Sequence, residues 1–185
     1  TSGSSIKEWS DICKKENLNI STKTICCYPT EVDFISSYAN LIKEKINLKK
    51  LTDITLVFSA HGLPENKIKG GDPYQWQVEQ TVSHLVKKLS IPNLNYILSY
   101  QSRVGPLKWI GPSTEIIITE EARKKKIIIV VPVAFVSEHS ETLVELDIEY
   151  KKLAVENGST DYIRVPAVTV NKQFISSLKS SILLA

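Results

Sequence analysis

Apolar positions along this chain switch between two periods, and the switches divide it into strands and helices. Short apolar runs at 22–28 (TKTICCY), 53–59, 95–100, 127–133 and 162–166 read as strands. The run Ile127 to Val133 is continuous and β-branched, the signature of a strand buried on both faces of a parallel sheet. Between the runs, apolar residues recur at helical spacing. The pattern predicts helices over 6–16, 32–47 (with Phe34, Tyr38, Leu41, Ile42 and Ile46 near one face), 75–89 and 171–184. Two more are expected, one closing at Lys124–Lys126, where cations suit the negative end of the dipole, and one carrying the acidic residues after Val133. Hydroxyls in residues 1–5 (TSGSS) are expected to cap the first helix. Strand and helix alternate along the chain, which predicts an α/β fold: a right-handed, doubly wound parallel sheet flanked by helices on both faces.

Polar residues gather where the strands end. Ser59, His61 and Gly62 close the second run, and Gly62 removes side-chain bulk beside the histidine. A histidine there either reaches into the crevice that open α/β sheets form at their carboxyl ends or is a hydrogen-bonded structural residue. The third run leads into a loop stiffened by two Gly-Pro pairs, with Trp109 between them. Trp109 is either a loop anchor or an aromatic wall for a flat ligand. After the fourth run, Ser137, Glu138, His139 and Glu141 arrive together. At about 100° per residue, Glu145, Glu138 and Glu149 fall roughly 40°, 60° and 80° from Glu141, while Leu143, Leu146, Tyr150 and Leu153 fall between roughly 120° and 200°. One helix edge is therefore a carboxylate ladder and the next face is core. The ladder is either a solvated surface balanced by Lys151 and Lys152 or part of a site with the neighbouring histidine. His84, off the apolar stripe of its helix, is expected to face solvent.

Composition narrows the function classes. The chain has 185 residues, 42% of them apolar, enough for one packed domain or one lobe of a larger protein. A net charge of +3 with scattered lysines argues against nucleic acid as a partner. Cys13, Cys26 and Cys27 have no metal-ligand spacing, so a reducing compartment is expected. No apolar run is long enough for a transmembrane helix and no signal peptide opens the chain, so a soluble, cytoplasmic protein with at most a peripheral membrane contact is expected. Residue 1 is Thr and the chain contains no Met, so further sequence upstream is expected.

Three motifs, in order, carry a resemblance. LVFSAHGLP at 56–64 with GDPY at 71–74, QSRVGP at 101–106 with WIGP at 109–112, and VPVAFVSEHSETLVELDIEY at 131–150 are together similar to the ferrochelatase family. The resemblance spans residues 1–185 as a single α/β lobe and covers only the C-terminal half of the family's pattern; the N-terminal lobe is absent from the chain.

The resemblance implies insertion of ferrous iron into protoporphyrin IX with loss of two pyrrole protons, in haem biosynthesis. That task needs proton acceptors, weak iron ligands and walls for a planar macrocycle. By resemblance, His61 takes pyrrole protons or presents the metal, Glu141 faces it, and His139 orients Glu141. Glu145 and Glu149 extend the acidic row as a path for protons or metal, so that His61, Glu141, Glu145 and Glu149 form the metal-handling set. Trp109, Phe135 and Ser59 are the expected substrate-binding residues. Glu138 stands where many relatives have Asp. Iron and porphyrin are substrates, with no permanently bound cofactor and no iron-sulfur cluster expected. Oligomeric state is left open. The alternatives are another tetrapyrrole or coproporphyrin as substrate, or a non-catalytic tetrapyrrole- or metal-binding module if 185 residues are the whole protein.

Overall fold

A computed structural model describes residues 2–46, 53–103 and 105–184. Its centre is a four-stranded, wholly parallel sheet in the order β2-β1-β3-β4, with β1 at Ile54–His61, β2 at Tyr96–Gln101, β3 at Ile127–Pro132 and β4 at Asp161–Arg164. Every residue of β3 is buried, as its unbroken apolar run requires. Alternation along the strands splits the core in two. Ile54, Leu56, Phe58 and Ala60 of β1 and Ile127, Ile129 and Val131 of β3 face α2 (Val32–Ile46), α4 (Tyr74–Leu89) and α7 (Lys172–Leu184). Val57, Ile128 and Val130 face α5 (Thr114–Arg123), a π-helix (Glu141–Glu149) and α6 (Tyr150–Glu156). The sheet is doubly wound, as the strand and helix alternation predicts.

This strand order reverses direction between β1 and β3, since β2 lies on one side of β1 and β3 on the other. Ligands of open α/β sheets settle outside the carboxyl ends of the strands at that point. His61 ends β1, and the segment from Val133 onward leaves β3 there.

Three expectations differ from the structure. Residues 18–28 form no strand; the apolar and cysteine side chains there are largely exposed, and no described strand edge pairs with them. Residues 2–5 lie inside the first helix, α1 (Ser2–Lys15), instead of capping it. Thr1, and Asn47 at the expected end of α2, lie outside the described residues. The third difference shapes the site. The acidic segment does not run at 3.6 residues per turn; its nine residues form a π-helix that passes into α6, and its hydrogen bonds span five residues, the last from the Tyr150 amide to the Glu145 carbonyl. A short helix, α3 (Glu65–Lys69), lies between β1 and α4.

Candidate active site

The turn leaving β3 is held tightly. The Tyr38 hydroxyl, fully buried, donates to the carbonyls of Pro132 at 2.6 Å and Phe135 at 3.2 Å. Ala134 between them has φ 73°, a left-handed backbone unusual for a residue with a Cβ. The turn sets the Phe135 ring 4.9 Å from that of His139. His139, two residues before the π-helix, caps its start: its Nδ1 accepts the Glu141 amide at 3.2 Å, and its own amide donates to Thr142 Oγ1 at 2.9 Å. This reciprocal cap fixes the direction in which Glu141 leaves the backbone.

His61 and Glu141 meet. His61 Nδ1 lies 2.7 Å from Glu141 Oε2, with both side chains about one third exposed at 40% and 32%. Carboxylate at Nδ1 selects the tautomer with its proton there and leaves Nε2 as the basic nitrogen. Ser102 joins this pair to Glu145. Its Oγ donates to Glu145 Oε2 at 2.6 Å and to Glu141 Oε2 at 3.3 Å, and its amide donates to Glu145 Oε1 at 2.9 Å. Ser102 has φ 57°, the second left-handed non-glycine residue at this rim.

Glu145 collects further neutral donors. Gln101 Nε2 approaches it at 3.3 Å and the Tyr150 hydroxyl donates to Oε1 at 2.8 Å. Tyr150 is five residues further on, so the five-residue winding brings onto one face two side chains that an α-helix would set far apart. Burial and then the Glu145 carboxylate push the Tyr150 phenol well above its usual range, so it stays a donor. Glu149 is exposed and, with Glu145, Glu115, Arg103 and Lys152, lines a groove of about 440 Å³ that Ser102 also borders.

The other carboxylates of the segment turn away. Arg164, 10% exposed at the end of β4, donates from Nη1 to both oxygens of Glu138 at 3.0 Å, and from Nε and Nη2 to Asp147 at 2.8 and 2.9 Å. Glu138 also accepts the Ala167 amide at 2.9 Å. Partial burial works to raise the Glu138 carboxyl, but hydrogen bonds from Thr142, Ala167 and Arg164 outweigh it and hold the carboxyl below its usual range. Glu138 therefore leaves the ladder in which helical spacing at 3.6 residues per turn sets it; it precedes the π-helix and belongs to the Arg164 cluster.

Of the residues singled out in the sequence, His61, Glu141, His139, Phe135 and Glu145 gather at the carboxyl end of β1 and around the segment leaving β3, and Glu149 borders the groove beside Glu145. Trp109 stands beside them. Its backbone bridges to Pro64, its ring packs 3.3 Å from where a Cβ on Gly62 would lie, and its indole nitrogen is buried without a described partner. Ser59 does not reach the crevice. It is fully buried and donates to Gln101 Oε1 at 2.7 Å, so it acts on Glu145 only through Gln101. His84 is half-buried with Nδ1 2.8 Å from the Gln80 carbonyl, not simply solvent-facing. Among the described residues no three His, Cys, Asp or Glu side chains converge on a point that could hold a metal ion.

Four contributors are not assigned a role by sequence: Ser102, Gln101, Tyr74 and Tyr150. Ser102 and Gln101 had a signal, being polar residues at a strand end. Tyr74, whose phenol is raised by burial, then by the neighbouring Tyr100 and Glu141, lies beside His61 and is part of the GDPY motif. Tyr150 had none, because only the π-helical winding brings it in.

The chain matches the family model described as Ferrochelatase over residues 1–184. It is 61% identical over 183 residues to the ferrochelatase of Pelagibacter ubique (strain HTCC1062), covering 99% of this chain and 53% of that protein. The ferrochelatase of Rickettsia conorii is 50% identical over 183 residues, with 99% and 52% covered. The chain thus spans about half the length of the curated relatives it matches. Among solved structures, SirB from Bacillus subtilis with Fe3+ superposes with a TM-score of 0.57 at 11% identity, covering 83% of this chain and 53% of that one, a likeness of fold alone.

Proposed function

Because the chain belongs to the ferrochelatase family, we propose that it supplies one wall of a site that inserts ferrous iron into protoporphyrin IX to form protohaem. The observation that carries the proposal is the His61–Glu141 pair at 2.7 Å, at the sheet's switch point and joined through Ser102 to Glu145. Metal insertion must remove two protons from weakly acidic pyrrole nitrogens. His61 Nε2 accepts a proton while Glu141 at Nδ1 stabilises the imidazolium that forms. Glu145 and Glu149 then lead protons, or the incoming ion, along the groove. Oxygen donors suit this transfer because they hold Fe2+ less tightly than thiolates do.

His139 positions Glu141 through its cap, and Phe135 and Trp109 flank the macrocycle. Ser59 acts from beneath through Gln101. Iron is a substrate in this reading, and the protein carries no resident cofactor or iron-sulfur cluster. Cys26 and Cys27 lie in the exposed stretch before α2, and Cys13 is on α1. Among the described helices none is long and apolar enough to cross a membrane. The reading places the reaction in the cytoplasm, with at most a peripheral membrane contact.

The test is an anaerobic assay of the full-length protein with Fe2+ and either protoporphyrin IX or coproporphyrin III, followed by loss of porphyrin fluorescence. Protohaem formation is expected. Folded protein that consumes neither porphyrin overturns the proposal, and exclusive use of coproporphyrin reassigns the substrate.

A further inference from the structure

We infer that Arg164 is a positioning residue for this reaction, clamping the two ends of the segment that carries Glu141 so that its carboxylate meets His61. The inference rests on the function proposed above. Glu138 and Asp147, the two carboxylates that Arg164 grips, bracket His139, Glu141 and Glu145 in sequence. One planar guanidinium therefore fixes the segment just before its cap and again inside the π-helix. All four carboxylate oxygens are engaged, at 2.8 to 3.0 Å.

A π-helix needs such a clamp more than an α-helix does. It is rare and ordinarily only a turn long, so packing around it must hold the wider winding. Where five-residue hydrogen bonding gives way to four-residue bonding, the carbonyl ladder also loses its regular partners. The carbonyl following that of Glu145 is Leu146, and it accepts the buried Tyr162 hydroxyl at 2.6 Å. Tyr162 and Arg164 both come from β4, two residues apart and so on the same face of the strand. The winding that brings Glu141, Glu145 and Tyr150 to one side is thus gripped from β4 on the other.

Lysine cannot reproduce the clamp, because a single ammonium lacks the fork that engages two carboxylates in fixed directions. Arg164→Lys keeps the charge and loosens the geometry, and misplacement of about 1 Å costs as much as 10²-fold in rate. In the full-length protein, Arg164→Lys is expected to lower kcat per folded molecule at least tenfold, with KM for the porphyrin within about twofold. The imidazole 15N signals of His61, read without substrate, are expected to move because the Glu141 contact lengthens. Asp147→Asn, which keeps shape and weakens one arm, should act in the same direction but less.

A merely structural role would lower the melting temperature and leave both kcat per folded molecule and the His61 signals unchanged. Wild-type values of both in Arg164→Lys and Asp147→Asn overturn the inference. If the wild-type protein forms no haem while Arg164→Lys still moves the His61 signals, the proposed function fails and the positioning geometry stands.

Discussion

The segment from Glu138 to Glu149 contains two sets of carboxylates with opposite surroundings. Glu138 and Asp147 share the guanidinium of Arg164, a permanent cation that engages all four of their oxygens. Glu141 and Glu145 meet a histidine, a serine, a glutamine and a tyrosine instead, and among the described residues no lysine or arginine pairs with them. Residue type and sequence position are nearly the same in both sets. The partner separates the two sets: a fixed cation ties Glu138 and Asp147 to β4, whereas Glu141 and Glu145 are held only by a histidine and neutral donors, which is what the proposed function asks of them.

The comparison breaks most visibly at its shared cation. Arg164→Ala strands Glu138 and Asp147 without a partner, and it should cost about 2 to 3 kcal/mol of stability once the partial exposure of Asp147 is allowed for, read by urea unfolding. An unchanged midpoint would mean the cluster is not scaffold. On the open side, Gly62→Ala sets a Cβ 2.9 Å from the Gln101 carbonyl and 3.3 Å from Arg103 and Trp109. It should cost about 1 to 3 kcal/mol and displace the loops that flank His61, measurable by thermal unfolding together with the Trp109 fluorescence.

A smaller effect sharpens the contrast through pH. The folded-state pKa of Glu138 lies below its ordinary value, so its contribution to stability is present above that ordinary value and is lost as pH falls through the lower one. Melting temperature should therefore decline on acidification below about pH 4, and less steeply in Glu138→Gln. Equal slopes in the two proteins would contradict the assignment.

The sheet was legible because its strands announce themselves. Ile127–Val133 and Ile54–Ser59 are apolar, β-branched runs of the kind a doubly covered sheet buries, and His61 and the segment that carries Glu141 lie beyond where those runs end. The stretch TKTICCY carries the same local pattern without becoming a strand, since a ladder needs a partner edge that local pattern does not supply. The division of the acidic row was hidden for a different reason. Helical arithmetic assumes a period, and the π-helix changes it, which brings Tyr150 to Glu145. Arg164 is remote in sequence from the carboxylates it binds, and only the parallel pairing of β3 with β4 brings them together. The depth of Ser59 was not legible either, because a polar residue at a strand end does not show how fully the neighbouring elements cover it.

The central claim, that the carboxylate facing His61 does the chemistry while those on Arg164 hold the frame, is tested most directly by turnover of Glu141→Gln in the full-length protein. The substitution keeps the shape and removes the charge and the proton-accepting oxygen. Iron insertion into protoporphyrin IX, measured anaerobically per folded molecule, should fall by about 10² or more with the melting temperature within a few degrees of wild type. Wild-type turnover in a folded Glu141→Gln protein would contradict the account.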